Sequence, residues 1–256
     1  MGLDRSLKNT FGKVSELYDS SRPSYPTVLI NDVLALSKIK KGDEILDVGC
    51  GSGKATVLFG GRGYDITGLD ISENLLRIAE KKTYDFPEVK YVVGSFEENS
   101  FPDKSFDLII SAQAWHWVDP DKSYNVADRL LKKGGSLALF WNFEIYEISE
   151  FLQELEQLFI GNCLKYIPQQ DTKSIEDRIE RSGLFEIYQK VDYIWNEKFT
   201  SERYLNLVKS LSWVNSLTAD KIDDLLNEVE LLLQSRKEPI NIPYESSLLM
   251  VKRKED

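Results

Sequence analysis

The sequence predicts an α/β fold, a mostly parallel sheet with helices on both faces, from three observations. Short apolar runs alternate with stretches of helical periodicity, a glycine cluster follows the first run, and an acidic residue closes the second. The first run, Glu44 to Val48, carries Ile45, Leu46 and Val48 in the pattern of a strand buried on both faces. It leads into a turn holding Gly49, Gly51 and Gly53, and Ala55 to Phe59 open a helix. Glycines reach φ > 0 and let a ligand approach the main chain closely, while a helix start offers unpaired N–H groups.

The other elements follow in order. Strands are expected near Asp65 to Asp70, Val89 to Val93, Phe106 to Ser111 and Ser136 to Trp141, with helices between them. Ser72 is a plausible N-cap for a helix to Lys82, with Leu75, Leu76 and Ala79 at helical spacing. Lys132-Lys133-Gly134-Gly135 marks a helix stop. Upstream, Thr10 to Ser37 reads as helical but is broken by Arg22-Pro23-Ser24-Tyr25-Pro26, with Pro26 starting a second helix. Beyond Asn142, helices are expected at Ile148 to Ile160 and Ile175 to Gly183, then a strand at Ile187 to Phe199. Helices at Ser201 to Ser216 and Ala219 to Arg236 precede a last strand at Ser246 to Lys252. In such a sheet the ligand lies at the strand C-termini.

Composition narrows the functional classes. A chain of 256 residues, 42% hydrophobic, holds one α/β domain with an insertion or at most two small domains. A net charge of -10 argues against a broad nucleic-acid surface, though not against a local basic pocket. Cys50 and Cys163 are too few for a disulfide framework, and no apolar run reaches membrane-span length, so a cytoplasmic setting without membrane contact is expected. Cys50 reads as a small residue filling the glycine turn. Met1-Gly2 with Ser6 fits a myristoylation pattern, but no polybasic second signal follows.

Spacing selects the ligand. A dinucleotide fingerprint would need glycine where Lys54 stands, and a phosphate-binding loop would need glycine at Val48 and a hydroxyl at Ala55. The pattern that remains, Asp47-x-Gly49-x-Gly51-x-Gly53, is followed by Asp70 at a strand end, where a carboxylate can accept both ribose hydroxyls. Gly94 to Ser111 supplies a strand-end turn, a Phe-Pro-Asp loop and Ser-Phe-Asp opening the next strand. Across residues 39–142 these motifs resemble, in order, those of class I S-adenosylmethionine-dependent methyltransferases, of the type 11 kind.

The resemblance implies a Rossmann-like seven-stranded sheet with helices on both faces, an antiparallel last strand and a helical lid inserted at about 201–237. It implies a single domain over 1–256, comprising a cap (1–37), a cofactor-binding core (38–142) and a C-terminal part (143–256). The cofactor would be S-adenosyl-L-methionine, held by Asp47, Gly49, Cys50, Gly51, Gly53, Asp70, Ile71, Ser95, Phe96, Ala112 and Gln113. Many relatives carry aspartate where Ser95 stands, so the adenine contact here would be uncharged, or Phe96 would hold the ring by packing.

The leader FGKVSELYDSSRPSYP is similar to that of the trans-aconitate methyltransferase-like branch, which places Tyr18, Arg22 and Tyr25 near the ligand. An arginine such as Arg22 can clamp a carboxylate with two hydrogen bonds. The same branch shares the wording around His116, the only histidine, flanked by Trp115 and Trp117. His116 is the candidate catalytic residue, and with Trp117 a candidate for acceptor binding. The activity implied is methyl transfer to a small-molecule acceptor at a carboxylate or hydroxyl oxygen, without a metal or a nucleic-acid partner. Methylation of a protein or structured RNA, and a catalytically silent binding subunit, are the alternatives.

Overall fold

The computed structural model of the protein describes residues 19–162, 172–211 and 213–254. Tyr18, Cys163, the myristoylation pattern and residues 11–18 of the leader lie outside them. The chain divides into two compact units. One, the sheet unit, comprises Ser24–Asn142, Asp171–Tyr193 and Ser246–Asp256, and the second comprises Met1–Pro23, Phe143–Gln170 and Ile194–Glu245.

In the first half of the chain the order is α1 (Thr27–Ser37), β1 (Glu44–Val48), α2 (Thr56–Phe59), β2 (Asp65–Asp70), α3 (Glu73–Lys82), β3 (Val89–Val93), β4 (Phe106–Ala112) and α4 (Ser123–Leu130). Then come β5 (Leu131–Glu144), α5 (Glu150–Gly161), α6 (Thr172–Ser182), β6 (Phe185–Phe199), α7 (Ser201–Lys209), α8 (Ala219–Gln234) and β7 (Ile240–Arg253). One sheet takes the order β3-β2-β1-β4-β5-β7-β6. Pairs β1/β2, β1/β4, β2/β3 and β4/β5 are parallel. β7 runs the other way. Ile145 N–H donates to Pro243 O while Ser246 Oγ donates to Asn142 Oδ1, so residue numbers fall along β7 as they rise along β5. Lys254 N–H on Leu184 O and Ser247 Oγ on Asp192 Oδ1 show the same opposition between β7 and β6. This is the Rossmann-like sheet with an antiparallel last strand.

Parallel strands covered on both faces need apolar side chains on both, and β1, β2 and β4 supply them. Ile45, Ile66, Leu108, Ile110, Ala138 and Phe140 are fully buried with Leu29, Ile30 and Val33 of α1. Each buried Leu, Ile or Phe of this kind contributes roughly 1.5–3 kcal/mol relative to exposure. Pro26 precedes α1 in extended conformation, and Ser72 caps α3 by accepting a hydrogen bond from Leu75 N–H at 3.4 Å. The second unit has its own core, in which Phe151, Leu152, Leu155 and Phe159 of α5 pack with Tyr204, Leu207 and Val208 of α7 and Leu225, Val229 and Leu233 of α8. No helix among the described residues is long and apolar enough to cross a membrane.

Three boundaries differ from expectation by more than three residues. β5 starts at Leu131 rather than Ser136: Phe106 pairs with Leu131 and Leu108 with Ser136, so the Lys-Lys-Gly-Gly segment is a bulge inside the strand. Gly134 there has φ 78°, and Lys132 is tied to Asp107 at 2.6 Å. β7 begins at Ile240, six residues early, and runs through Pro243, which cannot donate to the ladder but offers the carbonyl that accepts from Ile145 N–H. The helix expected over Ser201 to Ser216 stops at Lys209, where the Asn215 side-chain amide donates to Lys209 O and Leu211 O, both at 2.9 Å.

Candidate active site

The C-terminal ends of β1 and β2 are fastened to each other. Gly49 N–H and Cys50 N–H both donate to Leu69 O, at 2.8 and 3.2 Å, and Gly51 N–H donates to Asp70 Oδ2 at 2.8 Å. The three turn glycines have φ of 67°, 54° and 75°, each a left-handed conformation costly for a side chain. Their surroundings differ. A β-carbon on Gly49 would lie 2.5 Å from Ala114 Cβ, and one on Gly53 would lie 2.9 Å from Ala79 Cβ. One on Gly51 would meet nothing nearer than Leu75 Cδ1 at 4.0 Å. Gly49 and Gly53 are thus demanded by packing, whereas Gly51 has room for a β-carbon at ordinary contact distance. The helix after the turn, α2, is a single turn, so its end charge adds little.

Asp70 is pinned at both oxygens, since Ser72 N–H donates to Oδ1 at 2.8 Å. Burial raises its pKa, and the hydrogen bonds from Ser72, Gly51 and Ile71 oppose that without cancelling it. Ile71 beside it is 39% exposed, an apolar surface next to a carboxylate. Asp47, one residue before the end of β1, is wholly buried. Its Oδ2 accepts from Thr56 Oγ1 at 2.6 Å, and its Oδ1 has no hydrogen-bond partner. Burial, helped by the charge of Asp70 and opposed by the Thr56 hydroxyl, raises its pKa to about 7. Cys50 is buried, its thiol pushed well up by burial and by Asp47 and Asp70, which makes it a filler of the turn rather than a nucleophile.

Ser95 follows β3, where its hydroxyl accepts from Glu98 N–H at 3.3 Å and keeps its own proton to donate. Phe96 is buried against Trp115, ring centroids 5.5 Å apart. At the end of β4, Ala112 precedes Gln113, a non-glycine residue at φ 55°. Gln113 is held there by its N–H on Phe140 O (2.9 Å) and its Nε2 on Asn142 O (3.1 Å), and its Oε1 is buried without a partner. Trp115–Trp117 form a 3-10 turn in which His116 is 9% exposed. Trp141 Nε1 donates to His116 Nδ1 at 3.4 Å, and the Trp117 ring lies 5.0 Å away. With Nδ1 accepting, a neutral His116 carries its proton on Nε2.

The sheet unit therefore brings the glycine turn, Asp70, Ile71, Ser95, Phe96, Gln113 and His116 to the strand C-termini, where α/β sheets bind ligands. A family profile described as a methyltransferase domain matches residues 46–139. An uncharacterized methyltransferase of Mycobacterium tuberculosis is 29% identical over 247 residues, 94% of each chain. Another, of Schizosaccharomyces pombe, is 26% identical over 222 residues, 85% of this chain and 84% of that one. In fold the chain is similar to a SAM-dependent methyltransferase from Geobacter sulfurreducens solved with S-adenosylhomocysteine, with TM-score 0.58 at 15% identity over 96% of this chain and 98% of that one. The chain is a class I S-adenosylmethionine-dependent methyltransferase.

The polar groups of this methyltransferase fit its cofactor, S-adenosylmethionine. That molecule carries an ammonium group and ribose hydroxyls, all donors. The sheet unit holds two buried acceptors without partners, Asp47 Oδ1 and Gln113 Oε1, and a carboxylate, Asp70, fixed by main-chain N–H groups. The space over Gly51 admits close approach to the backbone.

Tyr25 is buried edge-on to Phe140 at 4.9 Å in the core of the sheet unit. Arg22 belongs to the second unit, where its charge lowers the pKa of Glu144. Glu144 is the centre of a cluster the sequence did not reveal. Its Oε1 accepts from Tyr204 (3.0 Å) and Tyr244 (3.1 Å) and its Oε2 from Tyr146 (3.1 Å). Burial raises the Glu144 pKa against these bonds. Part of the Arg22 charge thus faces a carboxylate of the protein itself.

Proposed function

We propose that this methyltransferase acts on a small-molecule acceptor at an oxygen, a carboxylate or hydroxyl, with its cofactor held on the Gly51–Asp70 bridge. That bridge carries the reading: one carboxylate oxygen is fixed by the N–H of the one turn glycine that packing does not crowd, so ribose and backbone recognition share one point. S-adenosylmethionine supplies an electrophilic methyl group on sulfonium. The chain's own residues bind and align. Asp70 takes ribose hydroxyls on its remaining lone pairs, Ile71 covers the base, and Ser95 donates to a base nitrogen with Phe96 behind it. Asp47 and Gln113 accept from the ammonium end.

Alignment and exclusion of water are the main demands of an in-line displacement, so little acid–base machinery is required. A carboxylate acceptor is already ionised at neutral pH. His116 acts as a positioning donor through Nε2, since Nδ1 is engaged by Trp141. Its burial in a tryptophan-flanked turn suits a small acceptor better than a macromolecular surface, and the net charge of -10 disfavours RNA.

Calorimetric titration with S-adenosylhomocysteine tests the cofactor half. Asp70→Ala is expected to cost about 1–3 kcal/mol of binding, from lost charge-assisted hydrogen bonds. Equal affinity in parent and variant would remove Asp70 from the site. A labelled-methyl screen over small acids, phenols, amines, peptides and RNA tests the other half, and transfer only to macromolecules would overturn it. His116→Gln is expected to raise KM for the acceptor and leave the shape of the pH–rate profile unchanged. Loss of one limb of that profile in the variant would instead make His116 a proton acceptor.

A further inference from the structure

Lined by none of the residues assigned to the cofactor, the sheet unit has a cleft of about 280 Å³ formed by Pro120, Asp121, Tyr124, Asn125, Arg178 and Arg181, closed by Ser182 and Leu184. Its two walls are the start of α4 and the last turns of α6. Arg178 and Arg181 are three residues apart and so are neighbours on the helix surface, beside the stripe on which Ile175 and Ile179 are buried. Among the described residues neither guanidinium lies within 4 Å of a carboxylate. By contrast Arg77, Arg129, Arg203, Arg236 and Arg253 are in salt bridges, while Arg62 donates to the Asn31 side-chain amide oxygen. Acidic groups outnumber basic ones, 42 to 32, so two neighbouring arginines left without carboxylates are not explained by a shortage of partners.

The cleft adds neutral donors to this charge. Trp115 Nε1 donates to Tyr124 Oη at 3.3 Å, which leaves the phenol proton to donate elsewhere. Burial keeps that phenol protonated although both guanidiniums act to lower its pKa, which places the hydroxyl within their electrostatic reach. The Asn125 side-chain amide completes the set. Against it stands one carboxylate, Asp121, exposed in the lining.

We propose that this cleft is a binding site for a phosphate group, as free inorganic phosphate or as a phosphomonoester. Planar guanidiniums, a phenol proton and an amide together offer more donors than a carboxylate can take, and a tetrahedral dianion matches them. The chemistry is independent of the methyl acceptor and of the cofactor contacts proposed above.

Calorimetric titration of the full chain with inorganic phosphate and with glycerol 3-phosphate, at low ionic strength, tests this. Binding of either is expected, and tighter binding of the monoester assigns the natural ligand to the organic class. Arg178→Gln with Arg181→Gln is expected to weaken binding by about tenfold or more, as loss of charge-assisted hydrogen bonds demands. Asp121→Asn is expected to strengthen it by about two- to fivefold, because it removes the opposing charge. The Asp121 variant keeps the test independent of any folding defect in the arginine variants. No binding of either phosphate at millimolar concentration, or binding indifferent to all three substitutions, would overturn the proposal, and cofactor titration on the same samples reads out the methyltransferase site separately.

Discussion

Gly51→Ala is expected to fold and to bind its cofactor weakly, whereas Gly49→Ala, two residues away, is expected to lose a large share of its stability. Both glycines have positive φ, so alanine at either costs about 1–2 kcal/mol in backbone strain. The difference lies in what the new methyl meets. At position 49 it would sit 2.5 Å from Ala114 Cβ, an atom fixed to backbone with no side-chain torsion to yield. Adding that clash brings the total to roughly 3 kcal/mol or more, a large share of the roughly 5–15 kcal/mol typical of a folded domain. At position 51 the methyl meets only Leu75 Cδ1 at 4.0 Å, so the fold bears the strain alone. The same methyl occupies the space through which a ligand approaches the backbone, and it weakens the N–H bridge to Asp70. A loss of about 2 kcal/mol in affinity for S-adenosylhomocysteine, roughly thirtyfold, is expected. Urea midpoints and calorimetric titration on both variants give the comparison. Parental affinity in a folded Gly51→Ala would mean that the cofactor does not approach this face.

That contrast shows how far the sequence could be read. β1 and β2 begin and end where the sequence places them, because a strand buried in a parallel sheet has a compositional edge at each end, and β3, a half-exposed edge strand, was marked by its valines. The turn and Asp70 were legible for the same reason, being punctuation beside those edges. What escaped depends on partners distant in the chain. Thr56, which holds Asp47, is an ordinary helix-start threonine until the two side chains meet. Glu144 reads as a strand-end acid, and its tyrosines come from positions 146, 204 and 244, a grouping no local period encodes. Arg178 and Arg181 read as the solvent face of an amphipathic helix, and only the folded unit places them across a cleft from Tyr124. The bulge over 132–135 and the strand through Pro243 escaped because glycine and proline mark turns until a neighbouring strand supplies the pairing.

The second large effect concerns pH and Asp47. Its pKa rises from the ordinary 3.8 to about 7 in the folded chain, chiefly through burial. Between those values the native state holds a proton that the unfolded state has released. Stability therefore falls as pH rises through this window and levels off above it, with a contribution on the order of a few kcal/mol. Asp70 and Glu144 are also raised and tilt the curve the same way, so Asp47→Asn is expected to flatten the slope rather than abolish it. Without cofactor, the variant should be more stable than the parent above pH 7, since it no longer buries a charge whose Oδ1 lacks a partner. Chemical denaturation from pH 4 to 8 measures this, and an unchanged slope would contradict the burial account. Cofactor should reverse the ranking. If the ammonium group of the ligand donates to Asp47, it stabilises the ionised form, and binding below pH 7 must release a proton. Calorimetry in two buffers of different ionisation enthalpy is expected to show that release in the parent and not in Asp47→Asn. Equal proton counts in both proteins would leave Asp47 as a support of the glycine turn through Thr56 and assign the ammonium contact to Gln113 alone.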